Sequence, residues 1–133
     1  MLESFQLIIS LLDSTIRIAT PLIFCAMAGI FSERSGIIDI GLEGKMLLSA
    51  FVAATATFLT GSPILGLFAA ILASCSASLI HGFACITHKG DQVISGLAIN
   101  ILASGLTITL GIALFSRGGQ TPPLASEQRL SLI

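Results

Sequence analysis

Gly29-Ile-Phe-Ser-Glu-Arg-Ser-Gly-Ile-Ile-Asp-Ile-Gly-Leu-Glu-Gly-Lys-Met46 is the stretch on which the reading of this chain turns. It carries Glu33, Arg34, Asp39, Glu43 and Lys45, five of the thirteen Asp, Glu, Lys and Arg residues in the sequence. Apolar sequence flanks it on both sides. Gly29, Gly36, Gly41 and Gly44 free the backbone to turn or break there. Two structures suit such a patch. One is a solvated loop between two helices. The other is a broken or re-entrant segment at membrane depth, where irregular backbone persists only beside protein or water. Spacing alone favours the loop.

Composition sets the class. Of 133 residues, 54% are hydrophobic and 10% charged, and mean hydropathy is +1.01. A soluble domain has about 25% charged residues and about 45–50% apolar ones. The expectation is an all-α polytopic membrane bundle. Its length allows about four spans of roughly 20 residues each. A net charge of −1 provides no basic footprint for nucleic acid. There is no Trp and no Tyr, so the usual interfacial aromatic belt is missing. Cys25, Cys75 and Cys85 sit in apolar runs without metal-ligand spacing and read as small buried hydrophobes. Glu3 has the wrong sign for the basic start of a cleaved signal peptide.

The first span is expected over residues 5–31. Asp13 and Arg17 stand four apart, acid first, which favours an interfacial pair; the alternative is that Arg17 faces a polar interior. Pro21 cannot donate to the carbonyl of Arg17, so a kink is expected. The uncharged run Met46–Ile80 is divided by the turn signal Gly61-Ser62-Pro63. The second span is therefore placed at 38–60, which puts Asp39 and Glu43 on one helical face. Lys45 falls in line with Ser49, Ala53, Thr57 and Gly61. The third span, 63–86, repeats small residues every fourth position: Gly66, Ala70, Ser74, Ser78 and Gly82. Such a ridge lets backbones approach closely where lipid gives helices no hydrophobic reason to associate. His81 has no acidic neighbour in sequence, so an interfacial position is preferred over a proton relay. The fourth span is expected over 92–115, with Gly96, Asn100 and Ser104 on one face. An amide at the depth of Asn100 must find a partner, either in a neighbouring helix or in a polar cavity. Residues 116–133 form no span.

Four spans put the Arg34 and Lys89 connections at one end of the bundle. The positive-inside rule then puts that end in the cytoplasm, unless a re-entrant segment changes the count. No HExxH, GxSxG, P-loop or dinucleotide fingerprint is present, so no catalytic, metal or cofactor residue is expected in this chain.

Two blocks carry a family resemblance. ATPLIFCAMAGIFSERSGIIDIGLEGKMLLSAF, Ala19–Phe51, resembles the first block of bacterial ABC-importer permeases of the simple-sugar and nucleoside type. These are related to ribose and branched-chain amino-acid permeases. GDQVISGLAINILASGLT, Gly90–Thr107, resembles a second block of the same group. The Ser-Glu-Arg-Ser-Gly and Gly-Leu-Glu-Gly sequences match the nucleoside type most closely. The resemblance implies a multi-pass subunit of the bacterial inner membrane forming half of a substrate pathway. It implies ATPase subunits that bind the ATP, a second permease subunit and an extracytoplasmic substrate-binding protein. The family's permeases are much longer than this chain, so a truncated or split product is expected. Asp39 stands where Asn is common in the family. Nucleosides or simple sugars need hydrogen-bond partners and apolar walls, and Asp39, Glu43, Asn100 and Ser104 are the candidate pathway residues. The competing functions are a homo-oligomeric channel or exporter and, last, an intramembrane enzyme.

Overall fold

The structure is a computed structural model that describes residues 2–130. Its elements follow the hydropathy. Helix α1 runs Leu2–Arg34, α2 Leu42–Thr60, α3 Pro63–Gly82 and α4 Gln92–Phe115. A π turn, Phe83–Thr87, prolongs α3, and a single 3₁₀ turn, Ser126–Gln128, lies in the tail. All four helices are long and apolar enough to cross a membrane. Each boundary has a local cause. Asp91 caps α4, its carboxylate accepting from Val93 N–H at 2.8 Å and Ile94 N–H at 3.1 Å. Pro63 opens α3, where its missing donor costs nothing. Gly61 closes α2 at φ +71°, a left-handed cap open to glycine.

Burial is inverted relative to a soluble domain. Leu72, Leu79 and Ile101 are more than 70% exposed, whereas Lys45, Thr57, His81 and Thr107 are buried. The buried hydrophobic residues are small ones, Ala77, Cys85 and Ala103. This is the arrangement lipid demands: it solvates large aliphatic chains, so the interior is left to small residues and paired polar groups. Outward hydroxyls are satisfied within their own helices, as when Thr15 and Thr20 donate to Leu11 and Ile16 carbonyls at 2.7 Å.

Helices α2 and α3 form the tightest pair, at the small-residue ridges. A Cβ at Gly66 would overlap the Thr57 hydroxyl and lie 2.8 Å from the Ala53 carbonyl. Gly66→Ala should therefore cost about 1–3 kcal/mol of overpacking. Thermal unfolding in detergent checks this against Gly82→Ala, where nothing lies within 4 Å and no loss is expected. Helix α4 packs on α2, and Phe58 and Phe115 meet edge to face at 5.4 Å at the far end.

Helix α1 stands apart, touching the bundle near Cys25, whose Sγ is 3.6 Å from Met46 Sδ. It is one helix across Pro21. Asp13 and Arg17 are both exposed and form no ion pair with each other among the described residues. Arg17 projects from α1 away from the other described helices. Cys85 is buried, but Cys75 is exposed, because its side of α3 faces away from the bundle.

Candidate functional site

The glycine-rich stretch ends α1 at Arg34 and begins α2 at Leu42, and the part between is not a free loop. After α1, Gly36 turns the chain at φ +86°. Ile37–Asp39 then follows no regular secondary structure, and a turn at Ile40–Gly41 leads into α2 at Leu42. This strap lies along the first turns of α4, which holds it by two side-chain amides. Gln92 Oε1 accepts from Ile38 N–H at 2.7 Å, and its Nε2 donates to the Gly36 carbonyl at 3.4 Å. Asn100 Nδ2 donates to the Ile40 carbonyl at 3.1 Å, and its Oδ1 accepts from Gly44 N–H at 2.7 Å. Between them Gly96 lets the backbones touch: a Cβ there would stand 2.9 Å from Gly41 N. Gln92, Gly96 and Asn100 are one i+4 line on α4. Gln92 and Asn100 give an irregular segment the hydrogen bonds that a helix would have supplied internally.

This capture explains why α2 starts at Leu42 rather than residue 38. It also separates two expected partners. Asp39 lies on the strap and is largely buried, while Glu43 is exposed in the first turn of α2. They share no helical face.

Asp39 instead anchors a buried polar cluster. One carboxylate oxygen, Oδ2, pairs with the Lys45 ammonium. The other, Oδ1, accepts from Gly41 N–H at 3.1 Å and lies 3.8 Å from His81 Nε2. His81 Nδ1 is 3.0 Å from Ser95 Oγ, and Cys85 Sγ is 3.8 Å from His81 Nε2. The side chains of Lys45, Asp39 and His81 are 5%, 10% and 3% exposed. The strap, α2, α3 and α4 each contribute a group. Charges at such burial persist only when paired and hydrogen-bonded, and here the acid is matched by a base on the next element. His81 is thus buried and not solitary; its acidic partner comes from 42 positions earlier in the chain. Gln92, Lys45 and Ser95 were also outside the expected site. Gln92 had a readable signal, since it sits four residues before Gly96 on the line that carries Asn100.

Two concavities flank α2. Glu43, Asn100 and Ser104 line a hollow of about 250 Å³ between α2 and α4. A larger cleft of about 650 Å³ opens between α1, α2 and α3, with Lys45 at its wall. Asn100 spends its amide on the strap backbone, so its main work in this geometry is to bridge strap and helix. Among the described residues no group of three His, Cys, Asp or Glu side chains is placed to hold a metal.

Comparison with known proteins shows the family. The family described as branched-chain amino acid transport system / permease component matches residues 11–129. A guanosine ABC transporter permease protein of Bacillus subtilis is 41% identical over 113 residues, covering 80% of this chain and 35% of that protein. A nucleoside ABC transporter permease protein of Lactococcus lactis is 33% identical over 108 residues, covering 77% of this chain and 34% of the relative. The chain therefore spans about a third of the length of these curated relatives. No solved structure matches it. Four spanning-length helices with a polar, small-residue interior make this a multi-pass membrane protein, and the chain belongs to the branched-chain amino acid transport system / permease component family.

Proposed function

We propose that the chain is a permease subunit of an ABC importer for nucleosides or simple sugars in the bacterial inner membrane. It works with ATPase subunits that bind ATP, a second permease subunit and an extracytoplasmic substrate-binding protein. It holds no cofactor and performs no catalysis of its own. The single observation that carries this reading is the similarity to nucleoside permeases across about four-fifths of the chain. The buried cluster supports it, because ionisable groups inside a lipid-facing bundle most often serve a polar pathway.

In this reading Glu43, Asn100 and Ser104 line the pathway through their shared hollow. Asp39 contributes from the strap, behind Lys45. Asn100 acts chiefly by fixing where the strap sits. Alternating access then rocks α2 and the strap against α4.

Copurification tests the assignment. The full chain, tagged and extracted in mild detergent from its own host, should bring down a nucleotide-binding subunit. Homo-oligomers that move solute without nucleotide, and recover no ATPase, would replace this reading with a channel.

A further inference from the structure

We propose that the cleft between α1, α2 and α3 is a chamber for an uncharged polar solute, and that Asp39 sets its selectivity by neutralising Lys45. The inference rests on the importer reading and names the place and the chemistry of recognition.

Size separates the two concavities. Ligand sites occupy about 300–1,000 Å³. The cleft, at about 650 Å³, falls within that range, and the α2–α4 hollow, at about 250 Å³, falls below it. The lining of the cleft is also mixed in a useful way. Pro21 and Phe24 of α1 provide apolar and aromatic surface. Ser49 of α2, whose hydroxyl donates to the Met46 carbonyl at 2.9 Å, and Ser74 and Ser78 of α3 place three hydroxyls on the opposite walls. Ser74 and Ser78 make no hydrogen bond to another described residue, unlike Ser76, which bonds back to the Ala73 carbonyl at 2.8 Å. Free hydroxyls beside apolar walls are what a ribose or a heterocycle requires.

Lys45 decides what charge the chamber accepts. It lines the cleft, yet its ammonium is tied to Asp39 on the bundle side. The other ionisable group within 4 Å of Asp39 is His81. Among the described residues no carboxylate or second ammonium lines the cleft. With the pair intact, the wall is neutral, and an anion finds no uncompensated positive charge. Without Asp39, Lys45 becomes a free cation at the wall of a largely apolar cleft, which would bind phosphate.

Photolabelling of the full chain in nanodiscs with 8-azidoguanosine tests both parts, with labelled peptides identified by mass spectrometry. Label should fall on α1 around Phe24 and on α3 between Leu67 and Ser78. Guanosine should compete better than guanosine monophosphate. In Asp39→Asn the preference should swing toward the monophosphate by at least tenfold. The neutral pair Asp39→Asn with Lys45→Gln should restore the original order. Label confined to the Asn100–Ser104 hollow, or no label, overturns the chamber. An unchanged preference in Asp39→Asn overturns the role of Asp39. If Asp39→Asn does not remain monodisperse, the swapped pair Asp39→Lys with Lys45→Asp decides: it should keep the guanosine preference, and loss of that preference overturns the claim. None of these failures touches the importer reading, which the recovery of an ATPase subunit decides separately.

Discussion

Lys45→Met should be the most damaging single substitution in this chain. Methionine fills the space of the lysine stem, so packing changes little. What remains is a carboxylate, 10% exposed, with the His81 ring 3.8 Å away and no lysine beside it. Breaking a buried pair by removing one partner costs about 3–5 kcal/mol. A domain stable by about 5–15 kcal/mol cannot absorb that easily. The variant should lose most of its monodisperse fraction in fluorescence-detected size exclusion. Pairing it with Asp39→Asn should recover most of the loss, because a neutral pair leaves no stranded charge. Asp39→Asn alone should be milder than Lys45→Met, since the freed ammonium can reach water through the cleft it lines. Equal damage from both single substitutions, with no rescue in the double, would remove charge pairing as the reason for the cluster.

The second large effect belongs to Asn100. Leucine there removes both partners of the strap at once. Gly44 N–H and the Ile40 carbonyl lose bonds of 2.7 and 3.1 Å. An unsatisfied buried group costs about 1–3 kcal/mol. Leucine keeps the branched shape of asparagine, so the change isolates the loss of these two bonds. Asn100→Leu should lower the unfolding temperature and loosen the strap. Asn100→Asp should be intermediate: it keeps the acceptor for Gly44 and loses the donor to Ile40. Thermal unfolding with both variants in one detergent checks the order. A leucine variant as stable as the parent would mean that α4 does not hold the strap.

Which features could be read in the sequence follows from how local their causes are. Helix α4 lies where the uncharged run predicts it, Gln92–Phe115, because Asp91 caps it through its own two neighbours. The Gly61-Ser62-Pro63 turn is likewise self-contained. The small-residue ridges point to close helix packing, and Thr57 against Gly66 is that packing. The start of α2 is different. Residues 38–41 carry only a permissive local signal, Gly41 and its bond to Asp39, and what holds them out of a helix is Gln92 and Asn100, more than fifty positions later. The same distance hides the Asp39–His81 contact, so a histidine that looks solitary in sequence has an acid beside it in space. Lys45 shows the limit of periodicity: its line was legible as a contact face, but not its partner. The π turn after α3 carries no sequence signal beyond the glycine at its start.

The account's central claim is that the glycine-rich strap is fixed against α4 with its polar groups turned inward. Amide hydrogen exchange on the unmodified chain in nanodiscs tests it most directly. The Ile38, Gly41, Gly44 and Lys45 amides all have acceptors, from Gln92, Asp39, Asn100 and the Gly41 carbonyl. The peptide covering Ile37–Lys45 should exchange at least a hundredfold more slowly than the segment Gly118–Gln120, and about as slowly as the first turns of α4. Exchange of that peptide at the rate of the open segment would contradict the account.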